Sequence, residues 1–200
     1  GEVGPSNQIV FCEYCNVAVH QKCYGVPQIP DGHWFCYTCV AAVSERERVR
    51  VAESRELQRQ PMPCMLCPAR KRAGALFPTD DEDKWVHSIC ADVAGVTVQD
   101  TAPSEPADDS PSSSLLSPSP GVLKFYSVAA LEAVSESTPC ALCNMTGYAV
   151  VPCSDNACQA FVHVTCAMEA GCWNSGTRGS QPRRWFAQCG SHAPPLATRP

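Results

Sequence analysis

Little in this chain suits it to building one large core. Of its 200 residues 8% are aromatic and 18% charged, and 18 prolines stand beside 12 glycines. A composition so poor in regular apolar material points to several mini-domains held together by staples. No apolar run approaches the roughly 18 residues of a membrane-spanning helix, so no membrane partner is expected. A net charge of −5 speaks against broad attraction to nucleic-acid phosphates. Ser-His-Asp, phosphate-loop and paired-carboxylate constellations are all missing, and no enzyme activity is expected. The chain opens Gly1-Glu2-Val3-Gly4, without an initiator methionine or a signal-peptide apolar core, and is expected to be an excerpt from a longer protein.

What the chain does have is cysteine, 15 of them. An odd number counts against a complete disulfide framework, and the spacing counts against it more strongly. Cys12/Cys15, His20/Cys23, Cys36/Cys39, Cys64/Cys67, His87/Cys90 and Cys140/Cys143 each enclose two residues. That spacing suits a tight turn presenting both side chains to one tetrahedral ion, and disulfide partners have no reason to alternate with histidines in this way. Zinc is the expected ion, and its thiolates imply a reducing compartment, cytosol or nucleus.

The ligands fall into three groups. The first runs Cys12, Cys15, His20, Cys23, Cys36, Cys39. The second, Cys64, Cys67, His87 and Cys90, is one four-ligand set. The third has Cys140, Cys143, Cys153, Cys158, His163, Cys166, Cys189 and His192, enough for two ions. Complete sets of four protein ligands leave no position open for water or substrate, which argues for structural rather than catalytic metal. Cys172 and His33 are left over. Cys172 is expected to be a small buried hydrophobe and His33 a surface residue beside a turn.

Three stretches of the chain resemble a known family. They are Asn7–Cys12, Cys15–Val26 and Ile29–Cys36, the last carrying Pro30-Asp31-Gly32-His33-Trp34-Phe35-Cys36. Together they are similar to a PHD finger, and within that family to the first finger of the PHD–zinc knuckle–PHD cassette of bromodomain–PHD scaffolds, JADE scaffolds and related chromatin readers. Cys64-Met65-Leu66-Cys67-Pro68 and Trp85-Val86-His87-Ser88-Ile89-Cys90-Ala91 resemble the knuckle. Phe161–Ala167 and the closing Cys189-Gly190-Ser191-His192 resemble the extended second finger. A RING module would place its lone histidine just after the third cysteine, and a full Cys-x2-Cys pair precedes it closely here.

The fold class so implied is a set of small zinc-stabilised α+β modules, with interleaved cross-brace PHD fingers flanking a zinc knuckle. Interleaving pairs Cys12 and Cys15 with Cys36 and Cys39, and leaves His20 and Cys23 as half a site. Four complete zinc sites are therefore expected, with a fifth lacking its upstream ligand pair. That pair is expected just before Gly1, because a finger natively without it would forgo about 10–16 kcal/mol of folding free energy.

The expected domains are a first finger, incomplete at its N-terminus, over 1–40; a helical linker over 41–62; the knuckle over 63–100; a disordered insertion over 101–121; and the extended second finger over 122–200. Ser44-x-x-Glu47 predicts a capped, solvated helix from Ser44 to about Arg59. Twelve of residues 101–120 are Ser or Pro.

Function is read from the short strand ending in Ile9-Val10-Phe11. A two-stranded mini-sheet has an open edge to which an extended peptide can add. The resemblance implies that the peptide is the unmodified N-terminal tail of histone H3. Ile9, Val10 and Phe11 would then supply backbone, Glu13 negative charge, and Pro30, Asp31 and Gly32 carbonyls for the terminal amine. No aromatic cage precedes Phe11, which disfavours trimethyl-lysine recognition. The expected setting is a nuclear scaffold for a histone acetyltransferase complex. Alternatives are purely protein–protein scaffolding, or weak nucleosomal DNA binding through Arg178, Arg183 and Arg184.

Overall fold

The computed structural model describes residues 7–68, 74–100, 124–128, 138–176 and 184–192. Two compact units divide the chain. The first comprises Gly1–Pro63, Gly74–Trp85 and Val98–Ser127, the second Cys64–Ala73, Val86–Thr97 and Val128–Pro200. The segment read as the knuckle is thus shared between them. Among the described residues no helix is long and apolar enough to cross a membrane.

The elements are short. In order they are β1 (Ile9–Phe11), β2 (Ala18–His20), α1 (Gln21–Tyr24), α2 (Tyr37–Ala42), α3 (Glu45–Ser54), β3 (Leu76–Pro78), β4 (Trp85–His87) and α4 (Ser88–Val93). Then follow β5 (Thr97–Asp100), β6 (Lys124–Ser127), β7 (Val150–Pro152), β8 (Phe161–His163), α5 (Val164–Glu169), β9 (Trp173–Gly176) and β10 (Arg184–Ala187). Among the described residues five two-stranded sheets pair each odd-numbered strand with the next one along the chain.

One local device recurs. His20, His87 and His163 each end a strand in extended conformation and serve as N-cap of the helix that follows. The cysteine three residues on then lies in that helix, so strand end and first turn present His and Cys side by side. Each helix is stopped by a left-handed glycine, Gly25, Gly95 or Gly171 (φ 79°, 70° and 64°), a conformation glycine adopts without a Cβ clash. A second device closes two of the Cys-x2-Cys turns. Asn16 and Asn144 follow them at φ 57° and 58° and donate back to Cys12 O (2.7 Å) and Cys140 O (2.8 Å).

In the first unit an aromatic cluster replaces a large core. Tyr24 stacks on Tyr37 at 4.4 Å and meets Phe77 at 4.8 Å and Trp34 edge-on at 5.8 Å. Its buried hydroxyl donates to Leu76 O (3.0 Å) and accepts from the Tyr37 amide (3.1 Å), which ties β3 to the finger.

The linker helix differs from its expected form. It ends at Ser54, because Arg55 turns left-handed (φ 57°). It is also docked on the protein, with Arg48, Val51 and Ala52 buried. The Arg48 guanidinium donates to Cys39 O (3.4 Å), Val40 O (3.1 Å) and Val43 O, capping the carbonyl end of α2, and lies 5.5 Å from the Phe35 ring centre. The Ser44 hydroxyl accepts from the Glu47 amide as the capping motif requires.

In the second unit the Cys64–Cys67 loop and the second finger share one packed body. The Leu66 carbonyl accepts from the Ala149 amide (3.1 Å), the Ala149 carbonyl accepts from Val164 (3.1 Å), and α4 packs on α5. Cys172 is buried here, outside every ligand cluster among the described residues.

Candidate metal centres and peptide edge

Among the described residues four clusters of donors come together. They are Cys12, Cys15, Cys36 and Cys39; Cys64, Cys67, His87 and Cys90; Cys140, Cys143, His163 and Cys166; and Cys153, Cys158, Cys189 and His192. In each, the donor atoms lie within 4.8 Å of one another. Both fingers thus use the interleaved pairing.

The distances test what such clusters can hold. Bonds of about 2.3 Å to sulfur and 2.05 Å to nitrogen around a tetrahedral zinc put ligand atoms roughly 3.8 Å (S···S) and 3.6 Å (S···N) apart. The sulfurs of Cys15 and Cys36, Cys36 and Cys39, and Cys158 and Cys189 stand 3.7, 3.5 and 3.8 Å apart. His87 Nδ1 is 3.6 Å from both the Cys67 and Cys90 sulfurs, and His163 Nδ1 is 3.4 and 3.7 Å from those of Cys143 and Cys166. His192 Nδ1 lies 3.6 Å from the Cys153 sulfur and 3.3 Å from that of Cys189. The clusters have the size and donor chemistry of zinc sites.

Their electrostatics ask for a cation. Hydrogen bonding from Cys15, Cys36 and Cys39 drives the Cys12 thiol far down, while the same crowding by Cys12, Cys15 and Cys36 drives Cys39 up. Cys67 and Cys90 are split in the same way, chiefly through Cys64. Burial pushes His87 down, but the Cys64 and Cys67 sulfurs outweigh it and raise it to about 9. Sulfurs this close cannot all ionise unless a positive ion sits among them. Main-chain amides already face the leading sulfur of each cluster. Cys36 N lies 3.4 Å from Cys12 Sγ, His87 N 3.4 Å from Cys64 Sγ, His163 N 3.3 Å from Cys140 Sγ and Cys189 N 3.4 Å from Cys153 Sγ.

His20 and Cys23 join none of the four clusters. Among the described residues no third donor joins them, and His20 Nδ1 is buried without a hydrogen-bond partner while Cys23 is exposed.

The peptide edge is set by register. In the β1–β2 ladder Ile9 faces His20, Val10 faces Val19 and Phe11 faces Ala18. Cys12 N donates to Val17 O (3.0 Å) at one end and Gln21 N to Gln8 O (2.8 Å) at the other. By the alternation of antiparallel pairs, Gln8, Val10 and Cys12 then turn their main-chain groups toward β2, and Ile9 and Phe11 turn theirs outward. Among the described residues no strand lies on that outer side. Val10 is buried, whereas Ile9 and Phe11 are 43% and 54% exposed.

Pro30, Asp31 and Gly32 are all exposed, and space around Gly32 is open. Their turn is linked to the C-terminal end of β1, since Glu13 N donates to Trp34 O (3.0 Å). His33 was expected to be a surface residue beside a turn. It is instead only half-exposed, and its Nδ1 meets Glu13 Oε2 at 2.5 Å, a contact between residues 20 apart that no local pattern announces. Of the arginines, Arg184 opens β10, while Arg178 and Arg183 lie outside the described residues, as does 101–121.

Comparison with known proteins defines the class. Residues 6–40 match the PHD-finger family and residues 118–193 the PHD-like zinc-binding domain family. The chain carries zinc-binding PHD fingers of the kind found in Jade and bromodomain–PHD proteins. Over 203 residues it is 32% identical to a bromodomain-containing protein homolog of Drosophila melanogaster, covering 97% of this chain and 12% of that protein. It is also 32% identical over 171 residues to the human E3 ubiquitin-protein ligase Jade-2, covering 86% of this chain and 17% of that one. The chain therefore spans less than a fifth of the length of these two relatives. Among solved structures it resembles the crystal structure of the zebrafish PHF14 PZP module, with a TM-score of 0.58, 25% identity, and coverage of 96% of this chain and 84% of that one.

Proposed function

We propose that the chain is a zinc-dependent chromatin reader whose first finger binds the unmodified N-terminal tail of histone H3, within a nuclear scaffold for an acetyltransferase complex. One observation carries this reading. The outward main-chain groups of Ile9 and Phe11 form a strand edge that no other strand covers among the described residues, and a turn of exposed residues, Pro30, Asp31 and Gly32, is linked to the C-terminal end of that strand. A peptide adding antiparallel to β1 begins at that end, so its first residue's ammonium falls beside Pro30, Asp31 and Gly32. The uncovered Phe11 and Ile9 side chains offer apolar surface along the same edge.

Each of the four donor clusters holds one zinc, and His20 and Cys23 are half of a fifth site. With four protein donors apiece these ions are structural. Ubiquitin transfer belongs to the name of the human relative, and the reading here is of a non-enzymatic module.

Calorimetric titration with an H3-tail peptide tests it. Acetylating the peptide's amine removes a charged group from its carbonyl partners and should weaken binding at least tenfold, on about 1.5–3 kcal/mol for such hydrogen bonds. Gly32→Val adds a side chain where a Cβ meets nothing within 4 Å, so it should block the amine without disturbing the fold. Equal affinity for free and acetylated peptides sinks the proposal.

A further inference from the structure

Glu13 follows Cys12 at the end of β1, and its Oε2 lies 2.5 Å from His33 Nδ1. A carboxylate can only accept, so the ring proton is on Nδ1 and His33 donates. The His33 and Glu13 side chains are 37% and 40% exposed, and a pair so wet contributes little to folding. It nevertheless pins the residue after Gly32 to the residue after the strand's first zinc donor. Among the described residues Glu13 Oε1 has no hydrogen-bond partner, so its lone pairs remain for an incoming donor.

We infer that His33 is a positioning residue, holding the Glu13 carboxylate in the rotamer that meets a basic side chain of the bound peptide. The inference rests on the tail-reading proposed above. An unrestrained glutamate has three torsions to order when the peptide arrives, and immobilising such a side chain costs about 0.5–1.5 kcal/mol, roughly 2- to 12-fold in Kd. With His33 already hydrogen-bonded to Oε2, that ordering is complete before the peptide binds. His33 thus raises the finger's preference for a basic tail over a neutral one without touching the peptide.

The test uses the whole chain as wild type, His33→Ala, His33→Asn, Glu13→Gln and the His33→Ala/Glu13→Gln double variant. Each is titrated with two free-amine H3-tail peptides, one native and one with its basic side chains replaced by norleucine. His33→Ala should weaken the native peptide roughly 2- to 12-fold, leave the norleucine peptide unchanged, and have no effect in the Glu13→Gln background. Zinc content and melting temperature should stay at wild-type values, and the amide of His33→Asn should recover part of the loss. An equal loss with both peptides, a loss persisting in the Glu13→Gln background, or tighter binding by His33→Ala overturns the inference. If wild type binds and His33→Ala is unchanged, only the positioning role falls; if wild type binds neither peptide, the tail-reading falls and takes this role with it.

Discussion

Gly147 lies in the second finger where no side chain fits. A Cβ there would stand 2.6 Å from His163 Nε2 and 3.2 Å from Leu66 O, the first 0.8 Å short of the 3.4 Å at which ordinary contact begins. Neither neighbour is placed to give way. The Leu66 carbonyl is held by the Ala149 amide at 3.1 Å, and His163 Nδ1 already sits 3.4 and 3.7 Å from the Cys143 and Cys166 sulfurs. Metal geometry tolerates about 0.2 Å, so a ring displaced far enough to clear the methyl leaves its site. Gly147→Ala should therefore cost about 1–3 kcal/mol through overpacking alone. In a module of this size that is at least about 4 °C in melting temperature, before any loss of metal is counted. Chelator competition read with a zinc indicator should show one ion per chain released early, while H3-peptide binding by the first finger persists. Wild-type zinc release together with wild-type melting would refute the placement of His163 as a zinc ligand.

Arg48→Ala should lower the melting temperature by the equivalent of about 1–3 kcal/mol, because Val40 O and Val43 O at the end of α2 lose their donor and Cys39 O keeps only the Val43 amide, and zinc content should not change; Arg48→Lys should recover only part, lacking the planar fork. A drop in zinc content with unchanged melting would contradict this. Strong chelation should abolish the dispersed amide spectrum of both units, since neither core is large enough to stand without metal; a spectrum that survives metal removal would rule the structural role out. Exchanging Arg178, Arg183 and Arg184 for glutamate should remove any weak, salt-sensitive duplex binding while tail affinity holds, and sequence-selective binding would show that more than phosphate contact is involved.

The clusters were legible in the sequence because metal chemistry writes itself into local spacing. Two residues between donors is a turn-scale distance, and three donor pairs in one reading frame of His-x2-Cys repeat a strand end, a first helical turn and a left-handed glycine. The glycines after Tyr24, Ala94 and Ala170 were a signal for where those helices stop. Other features left no local mark. The buried face of α3 is carried by Arg48, Val51 and Ala52, spaced three and four apart as a helix face should be, but the surrounding charges made the segment look solvated. Its end at Arg55 has neither glycine nor proline to announce it. The Glu13–His33 pair, and the seating of Gly147 against His163 and Leu66, join residues far apart in the chain, and only the closing of the zinc-held loops brings them together.

The two fingers share a scaffold and differ at one edge, which bears on why only the first is proposed to read a peptide. Val150, Val151 and Pro152 face His163, Val162 and Phe161 in the register that Ile9, Val10 and Phe11 keep with His20, Val19 and Ala18. Cys153 N donates to Ala160 O (2.8 Å) just as Cys12 N donates to Val17 O, so Val150 and Pro152 are the outward residues of β7. Pro152 stands where Phe11 stands in the first finger, and it has no N–H to offer an incoming strand. The same side is also occupied, because Ala187 of β10 bridges Cys153 and its carbonyl accepts from Ser154 N at 2.8 Å. A long loop between Cys166 and Cys189 is what brings β10 there, whereas the first finger closes from Cys23 to Cys36 with no strand to spare. Among the described residues the same metal framework thus yields one finger whose β1 edge no strand covers and one whose β7 edge ends in a proline beside a bridge from its own chain.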